Sequence, residues 1–218
     1  IREIDEVEVL SPDGTSIWKF ASELEEKIRS NEAFMGSGDD EVFVTGDSQS
    51  QVTISKKFSL GSGNDILTIG AIFAWNGNID FGEGNDTLVF NGGKLLVTGS
   101  ISALTNLTVT GNGGTLGTNL SLTGTEMAVT LNGNLTGDDN SRVITISSGN
   151  AALNTANNIK TNIRFDLTDA VLIQSDNGTL EFDGVSSYYA FTAKKSTLKL
   201  FQQYRKTGRK SLSFFVAF

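Results

Sequence analysis

The chain has 218 residues, with 24 glycines, one proline, no cysteine and no histidine, and a formal net charge of −8. That inventory excludes disulfide frameworks, His- or Cys-ligated zinc, Ser-His-Asp triads and cysteine nucleophiles, and its acidity disfavours nucleic acid as a partner. Short apolar runs separated by Thr, Ser, Asn and Gly predict an all-β fold, and no run reaches the ~20 apolar residues of a membrane-spanning helix.

The first residue is Ile rather than Met, which predicts a processed or excised segment of a longer protein. Residues 1–34 differ in character from the rest of the chain. Val7-Glu8-Val9-Leu10, the turn Ser11-Pro12-Asp13-Gly14 and Thr15-Ser16-Ile17-Trp18 predict a strand, a turn and a returning strand. Ala21 to Ala33 predicts a short helix, because Phe20, Leu24 and Ile28 recur at one-turn spacing with charged residues between them. Together they predict a small strand-and-helix cap on the body of the fold, the tail of a preceding domain being the alternative.

Three motifs come next: Gly36-Ser37-Gly38-Asp39-Asp40-Glu41-Val42, Gly61-Ser62-Gly63-Asn64-Asp65-Ile66-Leu67 and Gly82-Glu83-Gly84-Asn85-Asp86-Thr87-Leu88. Each is Gly-x-Gly-(Asp/Asn)-Asp-x-aliphatic and runs into a β-prone segment. Paired glycines permit a tight turn with positive φ and leave carbonyls uncovered, while the aspartate adds an anionic oxygen beside them. Carbonyl plus carboxylate oxygen is the donor set that calcium prefers. Gly36, Gly38, Asp40, Gly61, Gly63, Asp65, Gly82, Gly84 and Asp86 are therefore the candidate metal residues. The other reading of the same residues is turn chemistry alone, with aspartates capping loop amides.

These residues resemble the RTX calcium repeat, Gly-Gly-x-Gly-x-Asp-x-hydrophobic-x, over about residues 35–90. The resemblance implies a parallel β-roll or β-solenoid, bound calcium, and a secreted or cell-surface protein of bacterial type. Two departures qualify it. Met35, Leu60 and Phe81 stand where the repeat has its first glycine, and the motifs do not keep a nine-residue period. Their wider spacing predicts one such turn per coil of a larger, right-handed parallel β-solenoid.

Aligned on the motifs, Val42, Leu67 and Leu88 form one apolar column and Val44, Ile69 and Phe90 another, both on the inward side of their strands. Stacked coils would set Asp40, Asp65 and Asp86 in a carboxylate ladder. Like unit charges about 5 Å apart repel by roughly 3 kcal/mol at an effective dielectric of 20. A divalent ion between successive turns reverses that sign, which predicts two interturn sites.

After Phe90 the loops lose their aspartates, but β segments continue at Lys94–Thr98, Leu107–Thr110, Leu120–Thr123, Ala128–Leu131, Val143–Ser147, Asn162–Asp169 and Leu180–Phe182. In Asn162–Asp169 the alternation puts Ile163, Phe165 and Leu167 inside. Thr-Gly pairs at 98–99, 110–111, 123–124 and 136–137 suggest further coils without metal. Gly137-Asp138-Asp139-Asn140 reads as a solvent turn rather than a fourth acidic site. The solenoid is thus expected over 35–183. Residues 184–218 are basic and aromatic, with seven Lys or Arg and no acid. They are expected to form a C-terminal cap, an export segment or, as a lesser alternative, a membrane contact.

The expected function is that of a calcium-binding structural or adhesion-type segment of a larger secreted or surface protein, calcium stabilising the fold. Beyond calcium, the partner is left as a glycan or a protein on a cell surface. The enzymatic alternative is a polysaccharide lyase or epimerase on a β-helix using calcium, with Arg164, Asp166 and Arg142 as its candidates; a same-face Arg and Asp is more commonly a solvated ion pair.

Overall fold

A computed structural model describes residues 6–10, 16–18, 32–34, 37–45, 51–54, 57–156, 158–174, 178–183, 190–194, 196–199 and 216–217. The described chain winds as a parallel β-solenoid. One wall stacks Glu41–Thr45, Ile66–Ile69, Thr87–Phe90, Asn106–Val109 and Glu126–Leu131 in parallel, and continues onto Val143–Thr155 and Arg164–Gln174. A second wall stacks Gln51–Ile54, Ile72–Trp75, Lys94–Val97, Gly114–Leu116 and Leu135–Gly137. The third stacks Glu32–Phe34, Lys57–Ser59, Ile79–Asp80 and Ile101–Ser102. A bridge from Leu104 to Leu122 carries this third wall on to Leu120–Thr123, which then pairs with the first half of Val143–Thr155.

The registers are those that the alternation of apolar residues demands. Val42, Leu67 and Leu88 are partners in sequence, as are Val44, Ile69 and Phe90, and all six are buried. The first column continues through Leu107, Val129 and Leu153. Because side chains alternate across a strand, one residue in two points inward, and a slip of one residue would expose a whole column. Aromatic residues cluster in this core: Trp75 sits 5.3 Å from Phe58 and 5.6 Å from Phe73, its indole nitrogen donating to the Asn78 carbonyl. Leu60 and Phe81, which replace the first glycine of the calcium repeat, are fully buried. In this wider solenoid that position faces the core, so an apolar side chain is favoured there.

Both ends of the main sheet carry antiparallel strands. Glu6–Leu10 pairs antiparallel with Glu41–Thr45, so occupying the hydrogen-bonding edge of the first coil, and Ser16–Trp18 pairs antiparallel with Glu6–Leu10 in turn. At the other end, Phe191–Lys194 and Thr197–Lys199 lie parallel on Arg164–Gln174, and Val216–Ala217 pairs antiparallel with Thr197–Lys199. Phe191 stacks 5.4 Å from Phe165.

One expectation is corrected here. The helical spacing places Glu32 and Ala33 at the end of a helix, but they belong to the strand Glu32–Phe34, in parallel register with Lys57–Ser59. Local helical propensity is worth tenths of a kcal/mol per residue and yields to a ladder that extends a whole wall. Residues 21–31 of the expected helix lie outside the described residues, as do residues 200–215 of the expected C-terminal segment, and the described residues contain no helix.

Candidate functional site

The three glycine motifs form one corner of the solenoid, between the third wall and the first. Ser37, Ser62 and Glu83 bridge in parallel, so the turns stack in register. Gly38 N–H donates to the Ser62 carbonyl and Gly63 N–H to the Glu83 carbonyl, each at 2.8 Å. Glycine is required for this approach. Gly63 and Gly84 have φ of 143° and 145°, and a Cβ on either would lie 1.9 or 1.6 Å from the carbonyl oxygen of Gly38 or Gly63 in the coil before. Gly61 and Gly82 also have positive φ, and the Gly61 carbonyl accepts the Glu83 N–H. Gly36 lies outside the described residues.

The aspartates stand in a file behind these turns. Asp40 is 4% exposed, and Asp65 and Asp86 are fully buried. The carboxylates of Asp65 and Asp86 are each held by the preceding coil: Asp40 N–H donates to Asp65 Oδ1 at 2.9 Å, and Asp65 N–H to Asp86 Oδ1 at 2.8 Å. The amide-capping role is therefore real for Asp65 and Asp86, but it uses only one oxygen of each. The Oδ2 atoms of Asp40, Asp65 and Asp86 are all buried without a hydrogen-bond partner among the described residues. An ionised carboxylate has only acceptors, and a buried one without a counter-charge costs several kcal/mol. Burial accordingly raises all three pKa values, that of Asp86 to about 6, with Asp65 and Asp80 adding repulsion there; Asp65 and Asp39 add it at Asp40, and Asp39 at Asp65.

Two residues of this corner are absent from the candidates that the sequence supplies. Asp39 heads an exposed outer file: its Oδ1 accepts Asn64 N–H at 2.7 Å, and Asn64 Oδ1 accepts Asn85 N–H at 3.0 Å. Thr105 ends the inner file. Asn106 N–H bonds the Asp86 carbonyl as Thr87 N–H bonds that of Asp65, which sets Thr105 one coil above Asp86, and its buried hydroxyl donates to the Gly84 carbonyl. The signal for Asp39 was the Asp/Asn alternation in the motif's fourth place. Thr105 becomes visible only once the register is known.

Among the described residues no three acidic side chains converge on one point. The file offers one carboxylate per coil, so a cation held there would need further oxygens from outside the file. Three buried, unpartnered, acceptor-only oxygens fit a hard cation, and they fit nothing that the described chain itself supplies.

Elsewhere, polar side chains serve the scaffold. In the 137–142 turn, Arg142 pairs with Asp138 at 2.5 Å and Asp139 at 3.3 Å, and Ser141 donates to Asp139, so both acids have partners within the turn. Asn106, Asn119 and Asn134, which open Asn-x-Ser/Thr triplets, use their side-chain oxygens to accept N–H groups of Ala128, Val143 and Lys160 one coil on. Of the enzymatic candidates, Arg142 is thus committed to Asp138 and Asp139, and Asp166 accepts the Thr192 hydroxyl. Arg164 shares its strand with Asp166, but among the described residues its buried Nε has no hydrogen-bond partner.

Comparison with family models, with curated proteins and with solved structures returns no match.

Proposed function

We propose that the chain is a calcium-stapled structural segment of a larger secreted or cell-surface protein of adhesion type, similar to RTX repeats in its corner chemistry and not in its coil size. The observation that carries this reading is the buried file of Asp40, Asp65 and Asp86, each with one oxygen left without a partner. Three such groups in consecutive coils would destabilise the stack if ionised and bare. Calcium bound between the coils would supply the missing positive charge. The chain's own contribution is to hold the carboxylates in register through the Asp40 and Asp65 amides, and to bring glycine turns together closely enough that no side chain fills the corner.

Extracellular calcium modules bind at about 10⁻⁴ to 10⁻³ M. At that affinity the corner would be charged outside a cell and empty inside it, making calcium a folding signal on export. At ~10 mM calcium each site adds roughly 1.4–2.7 kcal/mol to stability. The deciding measurement is calorimetric titration of chelator-stripped protein with calcium, and with magnesium as control, alongside thermal melts. Calcium-specific binding with an upward shift in Tm is expected. Asp65→Ala should weaken both interturn sites, because its loop lies between the other two, whereas Asp40→Ala should affect one. No heat and no shift would remove the proposal.

A further inference from the structure

The two gaps between stacked loops differ in charge. The first lies between residues 37–40 and 61–65, and the second between 61–65 and 82–86. The inner file contributes Asp40 and Asp65 to the first and Asp65 and Asp86 to the second. The outer file breaks the equivalence, because Asp39 spans the first gap to Asn64, whereas Asn64 spans the second to Asn85.

Both outer side chains offer an oxygen to the next coil's N–H, and Asp39 Oδ1 also accepts the Asn64 side-chain amide at 3.3 Å. The carboxamide of Asn64 shows that accepting the next coil's N–H needs no charge. Asp39 therefore brings a negative charge that its hydrogen bonds do not require, and no described Lys or Arg pairs with it. It stands beside Asp40, which is 4% exposed, and one coil from Asp65, which is fully buried; both have an Oδ2 without a partner. A third acid placed there repels the other two unless a cation is present. With one present, the extra charge strengthens its binding.

Resting on the cation-stapled reading above, we infer that the first gap is the tighter of two divalent-cation sites and that Asp39 sets the difference between them. A unit charge several ångströms from a divalent ion, with water between them, alters affinity on the order of tenfold.

The test is calorimetric titration of calcium into the chelator-stripped 218-residue chain. Two steps are expected in the parent. In Asp39→Asn, which keeps the side-chain acceptor for Asn64 N–H, the tighter step weakens about tenfold and the weaker step is unchanged. Adding Asn64→Asp to that variant moves the charge one coil along. A tight step should return, and it should now be removed by Asp86→Asn, which in the parent removes the weaker step. Circular dichroism of each variant at saturating calcium establishes that it is folded. Should Asp39→Asn bind in the parent's two steps while Asp65→Asn loses both, the inference falls and the stapled solenoid stands. Should the parent bind no calcium, both fall together.

Discussion

The coils spanning residues 41–90 and those spanning 120–174 share one core and turn the same corner by different means. In the first group the chain passes from the third wall to the first through six residues, 60–65 and 81–86, with glycine turns outside and a buried aspartate inside. The corner then shortens to residues 103–105 and to 124–125. In Val143–Thr155 and Arg164–Gln174 it vanishes, and one unbroken strand serves both walls. There the bend rests on single left-handed residues, Ser148 and Gly149 in one strand and Asp169 in the next, with Ser148 and Asp169 opposite each other in register. A solenoid can therefore turn either with a loop that buries a file of carboxylates or with a local kink whose one acid, Asp169, is exposed. The apolar columns pass through both regions, so the difference lies in the corner and not in the packing.

The comparison breaks most severely at the glycines of the first region. Gly84→Ala would force a Cβ to within 1.6 Å of the Gly63 carbonyl at a φ of 145°. A cost of roughly 3 kcal/mol or more is expected, read as a lowered urea midpoint. Gly111→Ala is the control from a coil without acids: nothing lies within 4 Å of the added Cβ, and little change is expected.

A smaller effect of similar kind should appear with pH. Asp40, Asp65 and Asp86 have raised pKa values in the folded chain, Asp86 rising from 3.8 to about 6 through burial first and through Asp65 and Asp80. Between those values the folded state holds protons that the unfolded state has released. The associated stability is complete below about pH 3.8 and is lost as pH rises through about 6. For Asp86 alone the change is about 3 kcal/mol. In chelator-stripped protein, urea midpoints taken from pH 4 to pH 7 should therefore fall more for the parent than for Asp86→Asn. Millimolar calcium should remove that excess. An identical pH profile for the two proteins would show that the carboxylate is not held as its burial implies.

The first region was far more legible in the sequence than the second. The three motifs carry their own alignment, and once Leu67 is set against Val42 and Leu88 the core columns follow. The buried aspartates were legible as candidate ligands, but their amide bonds were not, since which oxygen caps which coil depends on the register of the loops. Asp39 was hidden because an Asp and an Asn look interchangeable until the hydrogen bond they share separates acceptor from charge. In the second region the Thr-Gly pairs suggested further coils, and the coils are there, but the pairs keep no fixed place in them: Thr98 follows the second wall, Thr110 follows the first, Thr123 ends the third and Thr136 lies within the second. Expected strands ended at Ser147 and Asp169 because left-handed residues and polar side chains look like stops. Tertiary pairing carries both strands through.

The smallest expected effect lies at that kink and reads the second region by itself. Ser148 has a φ of 55°, where an L side chain crowds its own carbonyl at a cost of about 1–2 kcal/mol. Its side chain is exposed, and its hydroxyl donates only to the neighbouring Ser147 carbonyl, so little packing opposes replacement. Ser148→Gly removes the crowding but adds freedom to the unfolded chain worth up to about 1 kcal/mol. A net gain of roughly 0.5 kcal/mol is expected in urea melts, equal with and without calcium. A gain appearing only in calcium would couple this kink to the acidic corner and make the two regions one device. Equality would leave them as independent solutions to the same turn, one built on a buried file of carboxylates and one on a kink of the backbone.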